Sequence, residues 1–317
     1  MTVTLPARPR RPTMYFVGVS TGESFINKLF PRWAKPLGLG SAALVGIDLP
    51  LNAPAADYGA VLRFLHEQDH ARGALVTSHK VNIVQHGRDL IDELGPHAER
   101  LGEVSCLIRE GTKLVGRALD PTTSGLALAD LASDGYWSAR GQAGAMVLGA
   151  GGAGMALALH LLERPADDRP ARIVLTDVDG KALAHARGAL GSADPDGRLE
   201  LRRVERAADH DQLLTTMADG SLVANATGMG KDTPGSPLGF GALLPVGGLV
   251  WEFNYRGERP FLDTAYEQQE ARGLIVADGW RYFLHGWSQA IAQVFDVTLK
   301  RGQFDKLMAA ADKLREA

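Results

Sequence analysis

Residues 144–154, Gly-Ala-Met-Val-Leu-Gly-Ala-Gly-Gly-Ala-Gly, form a short apolar run that breaks into a glycine cluster, and a helix-compatible apolar stretch, 155–162, follows at once. A buried strand that turns sharply into a helix leaves the first helical N–H groups without partners, and glycines leave a phosphate free to reach them. The spacing Gly-x-Gly-x-x-Gly falls on Gly149, Gly151 and Gly154, with Ala150, Gly152 and Ala153 between them. In dinucleotide folds these three glycines serve the tight turn, the close approach to pyrophosphate and the packing of helix on strand. The motif gains weight from its surroundings, because 172–177, Arg-Ile-Val-Leu-Thr-Asp, reads as a second strand ending in an acid 23 residues after Gly154. A carboxylate there accepts hydrogen bonds from the adenosine ribose and repels the 2′-phosphate of NADP, so Asp177 argues for NAD. Asp179 is the alternative ribose ligand, and either acid is placed to cap the next helix.

Working outward, the chain from Ala145 repeats strand and helix regularly: strand 146–148, helix 152–162, strand 173–176, helix 180–190, strand 199–204, helix 209–217, strand 222–225. That is the pattern of a doubly wound nucleotide domain. Proline and glycine then cluster from Gly228 to Gly248, a long loop expected beside the cofactor, before strands at 249–253 and 274–277 and helices at 280–297 and 301–316. Before the turn, strand-like runs at 13–20, 42–47, 73–77, 103–108 and 113–119 alternate with a helical one at 56–68, and Glu110-Gly111-Thr112 is a hairpin signal. The reading is α/β with two domains: a mixed-sheet substrate domain over 1–124, completed by the helices of 285–317, and a Rossmann-like NAD domain over 125–284.

Composition excludes several classes. With 22% charged residues, a net charge of −3 and lysines and arginines scattered, no nucleic-acid or anionic-membrane surface is indicated. No apolar run reaches the length of a membrane span or a signal peptide, so the expected location is the cytoplasm. The single cysteine, Cys106, rules out an internal disulfide and a thiolate metal site, and no clustered Cys/His/Asp set argues for any metal. The expected assembly is a monomer or homodimer acting on a small molecule.

Moving a hydride to or from an alcohol carbon needs a group that carries the hydroxyl proton. Lys80 follows the strand-like 74–79, and Asp120 closes the run 114–119 and precedes Pro121, which biases it toward an extended conformation. Two such residues at strand ends of one sheet can meet, the carboxylate orienting the ammonium. His79 is read as structural.

The sequence resembles the shikimate/quinate dehydrogenase family over nearly its whole length. Residues 73–80, Gly-Ala-Leu-Val-Thr-Ser-His-Lys, resemble the family's Gly-x-Asn-Val-Thr-x-Pro-His/Tyr-Lys. Residues 102–108, Gly-Glu-Val-Ser-Cys-Leu-Ile, resemble Gly-Ala-Val-Asn-Thr-Ile, and Gly116-Arg-Ala-Leu-Asp120 resembles Gly-x-Asn-Thr-Asp. The glycine turn, Asn225-Ala-Thr-Gly-Met-Gly230 and Glu252-Phe-Asn-Tyr255 resemble Gly-Ala-Gly-Gly-Ala, Asn-Ala-Thr-x-x-Gly and Asp-x-x-Tyr. The resemblance implies Lys80 and Asp120 as the catalytic pair. It implies Asn225, Ala226, Thr227 and Met229 beside the nicotinamide, and Gly279 as a glycine that lets the nicotinamide approach. Tyr255, Thr77, Ser105, Ser20 and Ser24 fall on substrate-side positions. Gln289 matches a substrate glutamine if three residues are inserted after Gly279, since the family spacing falls on Gly286.

Departures from the family pattern concentrate where the substrate would be read. Asn and Thr before the lysine become Ala74 and Val76, the Asn of Gly-Ala-Val-Asn-Thr becomes Ser105, and Asn-Thr before the aspartate becomes Ala118-Leu119. The Ser-x-Ser-Pro segment is represented only by Ser20-Thr-Gly-Glu-Ser24, whose Glu23 would repel a carboxylate. Buried hydroxyls of a polyol would lose several hydrogen bonds in such a site. The expectation is an NAD-preferring dehydrogenase acting on CH–OH groups of a small cyclic compound other than shikimate. The alternatives are a true shikimate/quinate dehydrogenase, a non-catalytic NAD- or metabolite-binding regulator on the same fold, and, more distantly, a folate-type methylene dehydrogenase. The extra segment 29–36, with Phe30 and Trp33, is read either as remodelling the pocket mouth or as packing.

Overall fold

The computed structural model describes residues 3–231 and 233–316. The chain divides into two compact units, one of residues up to Leu119 together with those from Gly286 onward, the other of Asp120–His285.

The first unit holds a six-stranded mixed sheet. Its strands are β1 (Thr13–Gly18), β2 (Ala43–Asp48), β3 (Ala71–Val76), β4 (Glu93–Leu94), β5 (Cys106–Glu110) and β6 (Lys113–Arg117), in the order β2-β1-β3-β5-β6-β4. Strand β1 is parallel to β2 and β3, while β5 runs antiparallel to both β3 and β6, with Glu110 opposite Lys113 across the Gly111-Thr112 turn. Helices α1 (Ile26–Ala34), α2 (Ala55–Glu67), α3 (Lys80–Gly87) and α4 (Pro96–Leu101) belong to this unit.

Helix α1 covers most of the extra segment and answers the question of its role. Leu29, Phe30 and Trp33 are buried, and the Trp33 indole N–H donates to the Leu307 carbonyl at 3.0 Å. An indole N–H taken out of water needs such a partner. The buried side of the segment packs on the helices that return to this unit at the end of the chain, with Phe30 also 6.3 Å from the Phe295 ring, while Phe30, Pro31 and Ala34 line a small cavity as well. Phe16 meets Trp287 edge-on at 4.9 Å, and Arg117 donates to Gln293.

The second unit is an all-parallel six-stranded sheet. Strands β7 (Ala145–Leu148), β8 (Ile173–Asp177), β9 (Leu199–Arg203), β10 (Leu222–Asn225), β11 (Leu249–Glu252) and β12 (Ile275–Ala277) lie in the order β12-β11-β10-β7-β8-β9. Counted within the unit this is 6-5-4-1-2-3, the doubly wound dinucleotide-binding order, with the reversal between β7 and β10. Those two central strands and β11 are buried at every position, as strands covered on both faces must be.

The helices of this unit are α5 (Asp120–Ala129), α6 (Gly152–Glu163), α7 (Gly180–Leu190), α8 (Ala207–Leu214) and α9 (Pro260–Arg272). Helix α10 (Trp280–Val294) continues through the boundary between the units, and α11 (Arg301–Arg315) ends the chain. Asp120 differs from expectation: β6 ends at Arg117, and Asp120 opens α5 instead of closing a strand. Pro121 sits in the first helical turn, where its missing N–H has no intrahelical partner to lose.

Candidate functional site

The turn from β7 into α6 gives each glycine a separate reason. Gly149 has φ +97°, and a Cβ there would lie 2.9 Å from the Ala226 carbonyl oxygen. A Cβ on Gly154 would lie 1.8 Å from the Gly149 carbonyl oxygen, so the helix can approach its own turn only without a side chain. Gly151, which caps α6, has nothing within 4 Å of where its Cβ would be. It is open, as a position approached by a ligand must be. Asp177 is tied directly to this turn: its Oδ2 accepts from Ala150 N at 2.7 Å and its Oδ1 from Asp179 N at 2.9 Å. Asp179 has a different task, capping α7 by accepting from Lys181 N at 2.8 Å.

Gly149, Gly151 and Asp177 form one wall of a cavity of about 530 Å³. Ala226, Thr227 and Met229 line it from the loop after β10, and Thr233, Pro234 and Pro237 close it further along. Val204, Arg206 and His210, at the end of β9 and the start of α8, supply the remaining wall. These last residues escaped the sequence reading, although the end of a third strand beside a dinucleotide turn is where such a wall belongs. His210 is buried, with Nδ1 2.8 Å from the Pro237 carbonyl and Nε2 2.9 Å from Thr176 Oγ1. Ala150, Gly152, Ala153 and Gly154 shape the turn and do not line the cavity.

Behind the loop after β10 lies a buried polar network. Asn225 donates from Nδ2 to Glu252 Oε2 at 2.6 Å, and its Oδ1 accepts from Thr227 N and Oγ1 at 3.1 and 2.7 Å. Thr227 Oγ1 accepts from Met229 N at 3.1 Å, and Asn254 joins Glu252 Oε1 through its N and the Met229 carbonyl through its Nδ2. Glu252 is fully buried, and that burial pushes its pKa up to about 7 against the hydrogen bonds from Asn225 and Asn254 and the charge of Arg259, which favour its charged form. The Asn-Ala-Thr motif is thus held in shape from the neighbouring strand end.

Gly279 is packed against the end of β11. A Cβ there would lie 2.0 Å from the Phe253 carbonyl oxygen, so close packing of the chain after β12 on the end of β11 explains the glycine by itself. Tyr255 stacks on Phe283, with ring centroids 4.3 Å apart, and Trp280 stacks on Phe283 in turn. Burial raises the Tyr255 hydroxyl's pKa.

In the first unit Lys80 is the first residue of α3, half-buried, directly after His79. His79 is fully buried: its Nε2 lies 2.9 Å from the Leu49 carbonyl and its Nδ1 3.1 Å from the Tyr58 hydroxyl, which also accepts from Asn82 Nδ2 at 3.0 Å. A carbonyl only accepts, so Nε2 carries the proton and Nδ1 accepts from Tyr58. Burial lowers the pKa, and the ring is a neutral brace behind the lysine. Ser105 is buried and its Oγ accepts from Leu119 N at 2.8 Å, next to Asp120 in the chain. Thr77 donates to the Val17 carbonyl at 3.3 Å.

Ser20 is exposed and Ser24 half-buried. The bonded residue of that segment is Thr21, whose N and Oγ1 donate to Asp48 Oδ1 at 2.8 and 2.6 Å. Gln289 lies half-buried on the part of α10 that belongs to this unit. Cys106 is buried, which pushes its thiol up to about 12 and leaves it inert. Among the described residues no group of three or more His, Cys, Asp or Glu could hold a metal ion, and no helix is long and apolar enough to cross a membrane.

The chain is 35% identical over 269 residues to the shikimate dehydrogenase (NADP+) of Streptomyces avermitilis, covering 83% of each chain. Its fold matches the quinate dehydrogenase of Corynebacterium glutamicum solved with NAD, at a TM-score of 0.71, 18% identity, and 95% and 99% of the two chains. It matches the 5-ketofructose reductase of a Gluconobacter strain at a TM-score of 0.69, 16% identity, and 96% and 99% of the two chains. No protein-family model matches the sequence.

Proposed function

The chain belongs to the shikimate/quinate dehydrogenase family of oxidoreductases, and from that premise we propose that it moves a hydride between NAD and a small, cyclic hydroxy or keto compound other than shikimate. The observation that carries this reading is the glycine turn at the head of α6, open at Gly151 onto the cavity that Asp177 borders. The turn offers helix N–H groups to a pyrophosphate, and the carboxylate suits the ribose hydroxyls of NAD better than a 2′-phosphate. The curated relatives are named for NADP. Asp177 is the residue that would set the preference of this chain for NAD.

The bound nicotinamide would supply the hydride acceptor or donor. Lys80, in its neutral form, takes the hydroxyl proton as the substrate C–H hydride leaves, and as an ammonium it returns that proton to a carbonyl oxygen in the reverse direction. The family resemblance gives Asp120 the role of orienting the lysine. Ala74, Val76 and Ala118 are buried apolar residues where the family pattern has hydrogen-bonding ones, which supports a substrate with fewer hydroxyls to satisfy than shikimate. A fold of this kind also serves a 5-ketofructose reductase, so it is not restricted to shikimate.

NADH absorbance with cyclic hydroxy acids, polyols and amino-cyclitols tests the reading. Turnover with a compound other than shikimate is expected, with kcat/KM for NAD above that for NADP. In Lys80→Met, kcat should fall by about 10²–10⁴-fold with dinucleotide affinity unchanged. Silence across the panel despite tight NAD binding would instead indicate a regulator.

A further inference from the structure

Glu103 is a buried acid that the reaction above does not use. It retains 1% exposure, although a carboxylate is among the costliest groups to remove from water without a counter-charge. The family motif that this segment resembles has alanine here and asparagine two residues later. This chain has Glu103 and Ser105, so a long acid has entered next to a position that lost its amide.

The backbone fixes where this happens. Val104 N donates to the carbonyl of Lys80 at 3.0 Å, Val76 N donates to the carbonyl of Ser105 at 2.8 Å, and Ser105 N donates to the carbonyl of Arg117 at 3.0 Å. Ser105 is thus paired on both sides as a strand residue would be, and its side chain faces Leu119 N. Glu103 thus lies one residue from the bond that ties this segment to Lys80.

We propose that Glu103 is a positioning residue for Lys80, its carboxylate set against the ammonium to hold it protonated and oriented. This rests on the reading of Lys80 as the proton carrier. The consequence is directional. A lysine kept as an ammonium at neutral pH is ready to give its proton to a carbonyl oxygen as NADH gives its hydride to the carbonyl carbon, leaving an alcohol, NAD and a neutral lysine that solvent reprotonates. The same carboxylate disfavours an anionic group of the substrate nearby, which points to an uncharged ketone as the substrate class. Of the titratable groups on neighbouring elements, Tyr58 and His79 are bonded to one another, Asp57 and His86 lie on α2 and α3, His97 and Arg100 lie on α4, and Asp120, which opens α5, is the other acid read as serving the lysine.

Competitive acetylation of Lys80 read by mass spectrometry, from about pH 6 to about pH 11, follows the lysine's titration without any substrate. Glu103→Gln is expected to lower its midpoint by about one unit or more, and Glu103→Asp to recover part of that shift. Glu103→Ala, which restores the alanine of the family motif, serves if the glutamine variant does not fold. In the reduction direction the alkaline limb of kcat/KM should move down with the midpoint. An unmoved midpoint in the folded glutamine and alanine variants overturns the proposal. A shifted midpoint in a protein whose turnover survives Lys80→Met upholds the charge pairing and removes the catalytic role.

Discussion

The turn at Gly149–Gly154 and the turn at Thr77–Lys80 both lead from a strand into a helix, yet they are built under opposite constraints. At the first, backbone atoms occupy the places where side chains of Gly149 and Gly154 would go, while Gly151 faces open space. At the second, the lysine is kept while its surroundings have changed: Ala74 and Val76 are buried and Glu103 is enclosed nearby. A dinucleotide presents the same pyrophosphate to every enzyme that uses it, so its turn tolerates little variation. A substrate site can exchange its recognition groups while retaining the proton carrier. In this chain the dinucleotide site is therefore the more constrained of the two.

Gly154→Ala tests that constraint most severely. The added methyl would meet the Gly149 carbonyl oxygen at 1.8 Å, backbone against backbone, with no flexible side chain to give way. A loss of several kcal/mol is expected in thermal or urea unfolding, with dinucleotide affinity down by about 100-fold or more. Gly151→Ala, which meets nothing, should leave stability within about 0.5 kcal/mol and weaken only the dinucleotide. Equal behaviour of the two variants would break the distinction between packing glycine and ligand glycine.

The network behind Asn225 makes a prediction about pH. Burial raises Glu252 from 4.5 to about 7, so between those values the unfolded chain has lost a proton that the folded chain keeps. The stability from this group is fully present below the lower value, declines as pH rises toward about 7, and is level above it; the full swing is about 3 kcal/mol. Urea midpoints across this window should fall with pH for the wild type relative to Glu252→Gln, whose side chain does not titrate. Parallel curves would mean that the Asn225 and Asn254 bonds outweigh the burial.

What could be read from sequence divides along the same line. The glycine turn, the six parallel strands and Asp177 were legible because each demand is local: a spacing, an apolar run, an acid at a strand end. Helix α9 was not, because only Phe261, Leu262 and Ala265 are buried and no apolar stripe marks it, although Pro260 at its start and Gly273 in left-handed conformation at its end frame it. The segment at 29–36 was ambiguous because the partner of Trp33 lies 274 residues away. Gly279 was read as a glycine that lets the nicotinamide approach, and the Phe253 carbonyl that also requires a glycine there is apparent only once the strands are assembled. Glu252 and Glu103 gave no sign of their burial, since glutamate ordinarily marks a solvated position.

Asp177→Asn sharpens the comparison at the cofactor's other end. The substitution keeps an oxygen for Ala150 N and removes the negative charge that would face a 2′-phosphate. The ratio of kcat/KM for NADP over NAD should rise by about 10- to 100-fold, through weaker NAD binding and relieved repulsion of NADP. An unchanged ratio would assign cofactor choice to another residue of the cavity, with Arg206 the first to examine.

The smallest effect is expected at His210, and it separates the cavity wall from the turn. The Pro237 carbonyl can only accept, so Nδ1 carries the proton and Nε2 accepts from the Thr176 hydroxyl. Burial lowers the ring's pKa in keeping with this neutral form. The imidazole therefore joins the residue before Asp177 to the loop that closes the cavity opposite. His210→Phe keeps the ring and removes both bonds, which should weaken NAD and ADP-ribose alike by about 5- to 10-fold, near 1 kcal/mol. Nicotinamide mononucleotide, which lacks the adenosine, should bind as before. Equal weakening of all three ligands would mean that the wall and the turn move as one body, and the contrast between a fixed turn and a pinned loop would then hold only between the two units, not within the second.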